Sequence, residues 1–258
     1  MKYLIVCFLI FSSFFAFGNQ RILDSLDKEL NIAIKSKSDN EKILSIIQLQ
    51  FDYSKRISST KALDYIVKGL KIANDLEDPN LIANMYYLIG KAYYQMGKYD
   101  QAILMFQKSQ DGFLTLNKLG SLLFVNIDIG NIYFSMELYE IAKDIYLSTI
   151  KKGNQFPKHE NIQLPLAVCY NNIGLFYNVM ENYDSSLVYF EKGLELRKSI
   201  NAKYLIPHSN NYIATVNFFL KNYDKSKEIF NQNILMINQL LRSEERRVGK
   251  ECRSRWSP

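Results

Sequence analysis

The stretch from residue 89 to residue 106 reads IGKAYYQMGKYDQAILMF. Its apolar residues recur at the three- and four-residue intervals of a helix, with one break around Gly97, a residue that favours a helix end. Gly90 lies before that break, and Ala102 and Phe106 follow Gly90 by twelve and sixteen positions. This spacing predicts two antiparallel helices whose backbones approach closely at Gly90 and Ala102, with Phe106 filling the space beside them.

The same arrangement recurs along the chain at nearly constant intervals. The position of the small residue is occupied in turn by Gln50, Gly90, Gly130, Gly174 and Ala214, at spacings of 40, 40, 44 and 40 residues. The residues sixteen positions later are Ile66, Phe106, Tyr146, Phe190 and Phe230. Tandem copies with a constant internal offset predict an all-α solenoid of antiparallel helix pairs.

This pattern resembles the tetratricopeptide repeat over about residues 46–233. The resemblance implies a right-handed solenoid. The usual period of that family is about 34 residues, and a period of 40–44 residues is closer to the roughly 40–47 residues of HEAT repeats. The constant internal offset nevertheless favours the tetratricopeptide family. The additional residues are expected to lengthen the second helix and its exit loop, as in Ser109–Leu122.

The N-terminus has the features of an export signal. Lys2 precedes an apolar run over residues 3–17, and Ala16 and Gly18 supply small residues for cleavage before Asn19. The run is shorter than the roughly 20 residues that span a bilayer. We predict a cleaved signal, with an uncleaved anchor as the alternative, and a location on the periplasmic or extracytoplasmic side of a bacterial membrane.

These observations divide the chain into four segments. Residues 1–18 are the predicted signal, residues 19–45 a capping helix with a linker, and residues 46–241 about five helix pairs, of which the first is degenerate and the last is uncapped. The tail, residues 242–258, reads RSEERRVGKECRSRWSP and resembles a translated sequencing adapter. A non-native tail would mean that the natural protein continues past Leu241. The alternative is a basic juxtamembrane segment attracted to anionic lipid.

The charge balance favours no polyanionic partner. Lys and Arg number 32 against 26 Asp and Glu, a net charge of +6. The tail contributes +3 and Lys2 contributes +1, so the remaining body carries only +2. A body so close to neutral gives no electrostatic reason to bind nucleic acid or anionic lipid.

No catalytic constellation is visible, and we predict no enzyme activity, cofactor or metal in this region. His159 and His208 lie far apart, and Cys169 has no second cysteine at metal-binding spacing. His159 is expected to be a solvated loop residue. His208 is interpreted as structural, with a cap or groove role as the alternative. Cys169 is expected to be a small buried apolar residue.

The resemblance implies that the first helix of each pair lines a groove that binds a peptide or a protein segment. The groove positions carried over from the family are Lys91, Tyr94, Asn131, Phe134, Asn171, Asn178, Asn211 and Phe218. Amides can pair with both N–H and C=O groups of a peptide backbone, and aromatic rings supply rigid contact area. Alternatively, several of the asparagines only connect adjacent repeats.

Three functional hypotheses follow. The first is the sensor or interaction region of a truncated bacterial signalling protein, because exported repeat arrays of this kind resemble the N-terminal regions of repeat-containing histidine kinases and transcriptional regulators. The second is a free-standing periplasmic scaffold for protein assembly. The third, an accessory domain of an enzyme, has no support from the visible residues.

Overall fold

The computed structural model describes the backbone of residues 2–157 and 161–255, and the side chains of residues 19–157 and 161–243. The described part is helical and contains no strand, which confirms the all-α prediction. Its eleven helices are α1 (Lys2–Lys35), α2 (Asn40–Ser54), α3 (Ser59–Asp75), α4 (Pro79–Gln95), α5 (Tyr99–Thr115), α6 (Leu119–Ser135), α7 (Tyr139–Asn154), α8 (Gln163–Val179), α9 (Tyr183–Ser199), α10 (Ile206–Phe219) and α11 (Tyr223–Arg255).

Two long helices and two short connections account for the 40-residue period. Helices α4 and α5 each have 17 residues. Only residues 96–98 separate α4 from α5, and only residues 116–118 separate α5 from α6. The additional residues therefore lengthen both helices. The expected lengthening of the exit loop within Ser109–Leu122 is wrong, because α5 continues to Thr115.

The one longer spacing has a different origin. Between Gly130 and Gly174, helix α7 ends at Asn154 and α8 begins only at Gln163. The extra residues of the 44-residue interval therefore lie in this connection, where an extended exit loop was expected. The connection from α9 to α10 is also longer than three residues, and the shorter α10 compensates for it.

Helices α4, α6, α8 and α10 each end in a single residue with left-handed backbone conformation. At the end of α4 this residue is Gly97, with φ of +70°. The N–H of Lys98 donates to Tyr93 O at 2.9 Å and that of Gly97 to Tyr94 O at 3.0 Å, which is a Schellman motif. The equivalent turns use Glu137, Glu181 and Lys221, with φ between 57° and 63°. Asn182 and Asn222 lie one position after Glu181 and Lys221.

Three second helices have a carboxylate near their start that does not act as the N-cap. Asp100, Asp184 and Asp224 lie in the first turn of α5, α9 and α11, where a negative charge interacts favourably with the helix dipole. The cap of α9 is Asn182, whose side-chain oxygen accepts a hydrogen bond from the Ser185 N–H at 3.1 Å.

The small residue of each pair leaves room for an aromatic ring. A Cβ atom placed on Gly90 would lie 2.6 Å from two ring carbons of Phe106, and one on Gly174 would lie 2.7 Å from Cδ1 of Phe190. Both rings are buried. The close approach of the two helices is thus confirmed. The ring sixteen positions later is the group that leaves no room for a side chain on the glycine. The sequence analysis had instead attributed the close contact to the small residue twelve positions later.

The small residue twelve positions later has its own contact with the first helix. The hydroxyl of Ser186 donates to Gly174 O at 2.8 Å, and that of Ser226 donates to Ala214 O at 2.8 Å. All four residues are buried. Each hydroxyl therefore satisfies its own hydrogen-bonding need while it fixes the second helix against the backbone of the first.

The chain divides into two compact units, residues 1–132 and 133–258. In the first unit, Leu26 and Leu30 of α1 belong to the same core as Ile47 and Phe51 of α2. Helix α2 begins at Asn40, within the segment assigned to the cap and linker. The second unit has a core around Phe190, Ile213 and Val216, to which α9 and α10 contribute.

Gln50 occupies the small-residue position of the first pair and is 1% exposed. Its amide nitrogen donates to Asp27 Oδ1 of α1 at 2.7 Å. The hydroxyl of Tyr65 on α3 donates to the other oxygen of Asp27 at 3.4 Å. The degenerate first pair therefore uses a polar connection to α1 at the position where the later pairs have glycine or alanine.

We expect Gly174→Ala to lower the free energy of unfolding by about 1–3 kcal/mol, because the added methyl group overlaps the buried ring of Phe190. Alanine is the better helix former by about 1 kcal/mol, so propensity alone predicts the opposite sign. Urea titration followed by circular dichroism measures the change. The exposed control Glu191→Ala on α9 should stay within about 0.5 kcal/mol of the wild type. A more stable Gly174→Ala protein would contradict the assigned contact.

Candidate functional site

Polar side chains of two successive first helices meet in the unit of residues 1–132. The Tyr87 hydroxyl on α4 donates to Asp128 Oδ2 on α6 at 2.7 Å. Asn131 Nδ2 donates to Asp128 Oδ1 at 3.1 Å, and the Lys91 ammonium lies 5.3 Å from the centroid of the Tyr87 ring. These four residues, which we call the Asp128 cluster, are all half-buried.

The electrostatics of the Asp128 cluster follow from this partial burial. Desolvation raises the pKa of Asp128, whereas the positive charge of Lys91 and the hydrogen bonds from Tyr87 and Asn131 oppose that rise. Burial, followed by the neighbouring carboxylate, raises the pKa of Tyr87. The phenol therefore remains protonated and keeps donating to Asp128 at neutral pH. The cluster combines an ammonium, an amide and a carboxylate on one surface.

Three of the predicted groove residues lie where a first helix turns into a second. Each ring contacts the tyrosine that opens the next helix, five positions later. The centroid distances are 6.0 Å for Tyr94–Tyr99, 5.0 Å for Phe134–Tyr139 and 5.4 Å for Phe218–Tyr223. These rings therefore support the turn, and Phe218 is also 55% exposed.

Asn178 occupies the same turn position in α8, where α4, α6 and α10 have an aromatic ring. It is half-buried, and its side-chain oxygen is buried without a hydrogen-bond donor among the described residues. Asn178 offers no ring to Tyr183, the tyrosine that opens α9. Tyr183 instead stacks on Phe219 of α10, with centroids 5.0 Å apart and an interplanar angle of 8°. The turn of this pair is thus held by the following repeat.

Asn171 is not a groove residue. It is 3% exposed, and with its amide oxygen facing α9 it accepts from both terminal nitrogens of Arg197 at 2.7 Å. Arg197 is 6% exposed and also donates to Ser209 Oγ at 2.7 Å and to Leu205 O at 3.1 Å. Burial lowers the pKa of Arg197. The Asn171 amide therefore stabilises the buried guanidinium of Arg197, with which no carboxylate among the described residues forms an ion pair.

Asn211 is exposed on α10 and accepts from the Asn233 amide at 2.6 Å. Asn233, on α11, is 1% exposed and also donates to Pro207 O at 2.9 Å. Asn211 thus contacts solvent and at the same time helps to connect the two helices of its own pair. This connection lies within one pair and does not join adjacent repeats, and the groove interpretation of Asn211 stays a prediction.

Family models described as tetratricopeptide repeat match residues 83–111 and residues 166–201. The first match lies on α4 and α5, and the second on α8 and α9. The chain contains tetratricopeptide repeats. A comparison of the sequence with curated proteins finds no significant match.

Several solved structures are similar to this tetratricopeptide-repeat protein over most of its length. BtubC (BKLC) from P. vanneervenii is similar over 86% of this chain and 92% of its own, with a TM-score of 0.66 and 16% identity. The apo quorum sensor NprR from B. thuringiensis is similar over 90% of this chain and 66% of its own, with a TM-score of 0.64 and 20% identity. NprR in complex with its cognate peptide NprX is similar over 89% of this chain and 68% of its own, with a TM-score of 0.61 and 19% identity. This chain spans about two thirds of NprR, and the similarity establishes the fold.

The residues considered for catalysis or metal binding remain separate in the repeat array. His208 is exposed near the start of α10, and His159 lies outside the described residues. Cys169 is fully buried, and burial raises the pKa of its thiol. Among the described residues, no group of three or more His, Cys, Asp or Glu could hold a metal ion. Within residues 19–157 and 161–243, no helix is long and apolar enough to cross a membrane.

The sequence argument missed Tyr87 and Asp128, which complete the cluster around Lys91 and Asn131. A signal was present, because Asp128 is the single charged residue of α6. A lone carboxylate in an otherwise uncharged helix needs a partner when it is partly buried. Its partner Tyr87 lies 41 residues earlier, at a distance that no local pattern connects.

We expect Asn171→Ala to lower the free energy of unfolding by about 1–3 kcal/mol, because it removes the acceptor of a buried guanidinium. The control Asn231→Ala, at an exposed position of α11, should change stability by less than about 0.5 kcal/mol. Thermal and urea unfolding of both variants measure the difference. Equal stability of Asn171→Ala and wild type would restore Asn171 as a groove candidate.

Proposed function

We propose that this tetratricopeptide-repeat protein is a binding scaffold for a peptide or protein segment. The observation that carries the proposal is the Asp128 cluster, which presents half-buried donors and acceptors from two successive first helices. The structure of NprR with its cognate peptide NprX supports a peptide as the kind of ligand that this fold accommodates. No cofactor or metal is needed for such a role.

The chemistry of the cluster suits an extended main chain. The Lys91 ammonium can donate to a peptide carbonyl or a carboxylate, and the Asn131 amide offers both a donor and an acceptor. Asp128 holds these groups through its hydrogen bond from Asn131 and its attraction to Lys91. The exposed ring of Phe218, in the other unit, is a candidate for apolar contact with a ligand side chain.

We further propose that the scaffold acts outside the cytoplasm as the sensor or interaction region of a bacterial signalling protein. The basic and apolar leader of residues 1–18 supports export, and the near-neutral repeat body supports a protein ligand. A free-standing periplasmic scaffold for protein assembly uses the same surface and is the second candidate. An accessory role beside a catalytic domain is the third, and no described residue favours it.

Peptide selection tests the binding proposal. Peptides selected from a random display library against the full chain are expected to lose at least about tenfold in affinity, or 1.4 kcal/mol, when the protein carries Lys91→Ala or Asp128→Asn. Lys71→Ala and Asp64→Asn remove the same charges from exposed positions of α3 and should leave affinity unchanged. Fluorescence anisotropy gives the dissociation constants. Failure to select any binding peptide, or equal losses in both variant sets, would refute the proposed site.

A reporter fusion tests export. Alkaline phosphatase fused after residue 258 should be active in a bacterial host, since this enzyme matures only outside the cytoplasm. Leu9→Arg places a charge in the apolar run and is expected to reduce that activity by at least about tenfold. Ser12→Ala keeps the run apolar and serves as the control. Full activity of the Leu9→Arg fusion would exclude the leader as the export signal.

A further inference from the structure

A cleft of about 390 Å³ lies within the second unit, lined by residues from the end of α7, the start of α8 and the end of α9. Its apolar wall includes Ile162, which is fully buried, and Leu166, which is 4% exposed. Its polar groups include Tyr170 on α8 and the oppositely charged Lys192 and Glu195 on α9. A concave site of this size, with an apolar lining and a few polar groups, is typical of small-molecule binding.

The wall of the cleft comes from the part of the chain that departs from the 40-residue repeat. The connection between α7 and α8 takes up residues 155–162, whereas residues 116–118 alone join α5 to α6. Pro157 and Ile162 of the longer connection both line the cleft. Insertions in a repeat array lie in loops on one face, which is often the binding face.

The cleft lies in the interior of the array and not at its end. Helix α10 packs on the face of α9 that contains Phe190 and Arg197. A rotation of about 100° per residue places Lys192 and Glu195 on the opposite face of α9. Because α8 and α10 both already pack against α9, the opening of the cleft does not depend on a further repeat.

The two charged side chains of the cleft have no charged partner in the described part of the chain. The Lys192 ammonium lies 6.0 Å from the ring centroid of Tyr170 and 5.1 Å from that of Tyr189. Neither Lys192 nor Glu195 forms an ion pair or a hydrogen bond with another described residue. They lie one helical turn apart and both are exposed. The cleft therefore presents one cation and one anion beside an apolar wall.

The tyrosine, lysine and carboxylate of the cleft recur two repeats earlier as Tyr86, Lys108 and Asp111. The Lys108 ammonium again lies over the tyrosine, 5.2 Å from its ring centroid. In that pair, however, the polar N-cap Asp78 precedes α4 at the position where Ile162 precedes α8. The polar residues are thus a feature of the repeat, whereas the apolar wall is particular to the cleft.

We infer that this cleft binds a free α-amino acid with a large apolar side chain. The side chain of the ligand lies against Ile162 and Leu166, its carboxylate pairs with Lys192, and its ammonium pairs with Glu195. Both ligand charges are attached to one carbon atom, so they can reach two groups that are one helical turn apart. The cleft belongs to the second unit and the Asp128 cluster to the first, so this site adds to the function proposed above.

Isothermal titration calorimetry of the full chain tests the ligand. Leucine, isoleucine, methionine and phenylalanine are titrated in turn, and at least one of them is expected to bind. Glycine should bind at least about tenfold more weakly, because it has no apolar side chain to bury. The amide and the N-acetyl derivative of the tightest binder each lack one charge, and each should lose at least about tenfold in affinity. The N-acetyl amide, which resembles a residue within a protein chain, should not bind.

Four variants assign the two charges. Lys192→Gln and Glu195→Gln should each weaken binding of the amino acid at least about tenfold. Lys192→Gln should not weaken the amide further, since that ligand has no carboxylate, and Glu195→Gln should not weaken the N-acetyl derivative further. Lys108→Gln and Asp111→Asn remove the same charges from exposed positions of α5 and should have no effect.

The inference is overturned if none of the four amino acids binds, or if the Lys108→Gln and Asp111→Asn variants lose as much affinity as the variants of the cleft. It is also overturned if the N-acetyl amide binds as tightly as the free amino acid, because the cleft then receives a side chain of a protein. Circular dichroism of Lys192→Gln and Glu195→Gln should match the wild type, since both side chains are exposed.

Discussion

The packing of an aromatic ring against a glycine underlies two helix pairs of this protein, α4 with α5 and α8 with α9. Phe106 lies against Gly90 and Phe190 against Gly174, closer than a Cβ atom would allow. The ring lies sixteen positions after the glycine, so the distance between them fixes where the turn must come and how the second helix aligns. The left-handed residue at that turn and the serine hydroxyls on the first-helix backbone are consistent with that alignment.

Polar side chains elsewhere on the first helices lie in different environments. Asp128 lies between two first helices, where Tyr87 and Asn131 donate to it and a half-buried polar surface results. Asn171 lies between a first and a second helix, where Arg197 occupies its amide. Two asparagines with the same sequence interpretation thus differ in environment, because Asn131 is half-buried and Asn171 receives a buried cation.

The second helices differ in a similar way. On α9, the stripe of Phe190, Leu194 and Arg197 is completed by α10, and a polar pair is included in the contact. On α11, the corresponding stripe is wholly apolar and lies open in the described part of the chain. The two second helices therefore differ in the polarity of this face, since Ile237 stands where α9 has Arg197.

The sequence by itself determined the all-α fold, the helix pairs and their period, because the offset of sixteen between Gly90 and Phe106 is a local constraint that each copy repeats. It also located the turns to within a residue or two. Only the tertiary structure decided which group each glycine accommodates and that Asp100 is not a cap, since both depend on where the second helix begins. It also separated Asn131 from Asn171 and brought Tyr87 to Asp128 across 41 residues. Helical spacing places a side chain on a face, whereas burial and partners depend on the helix packed against that face.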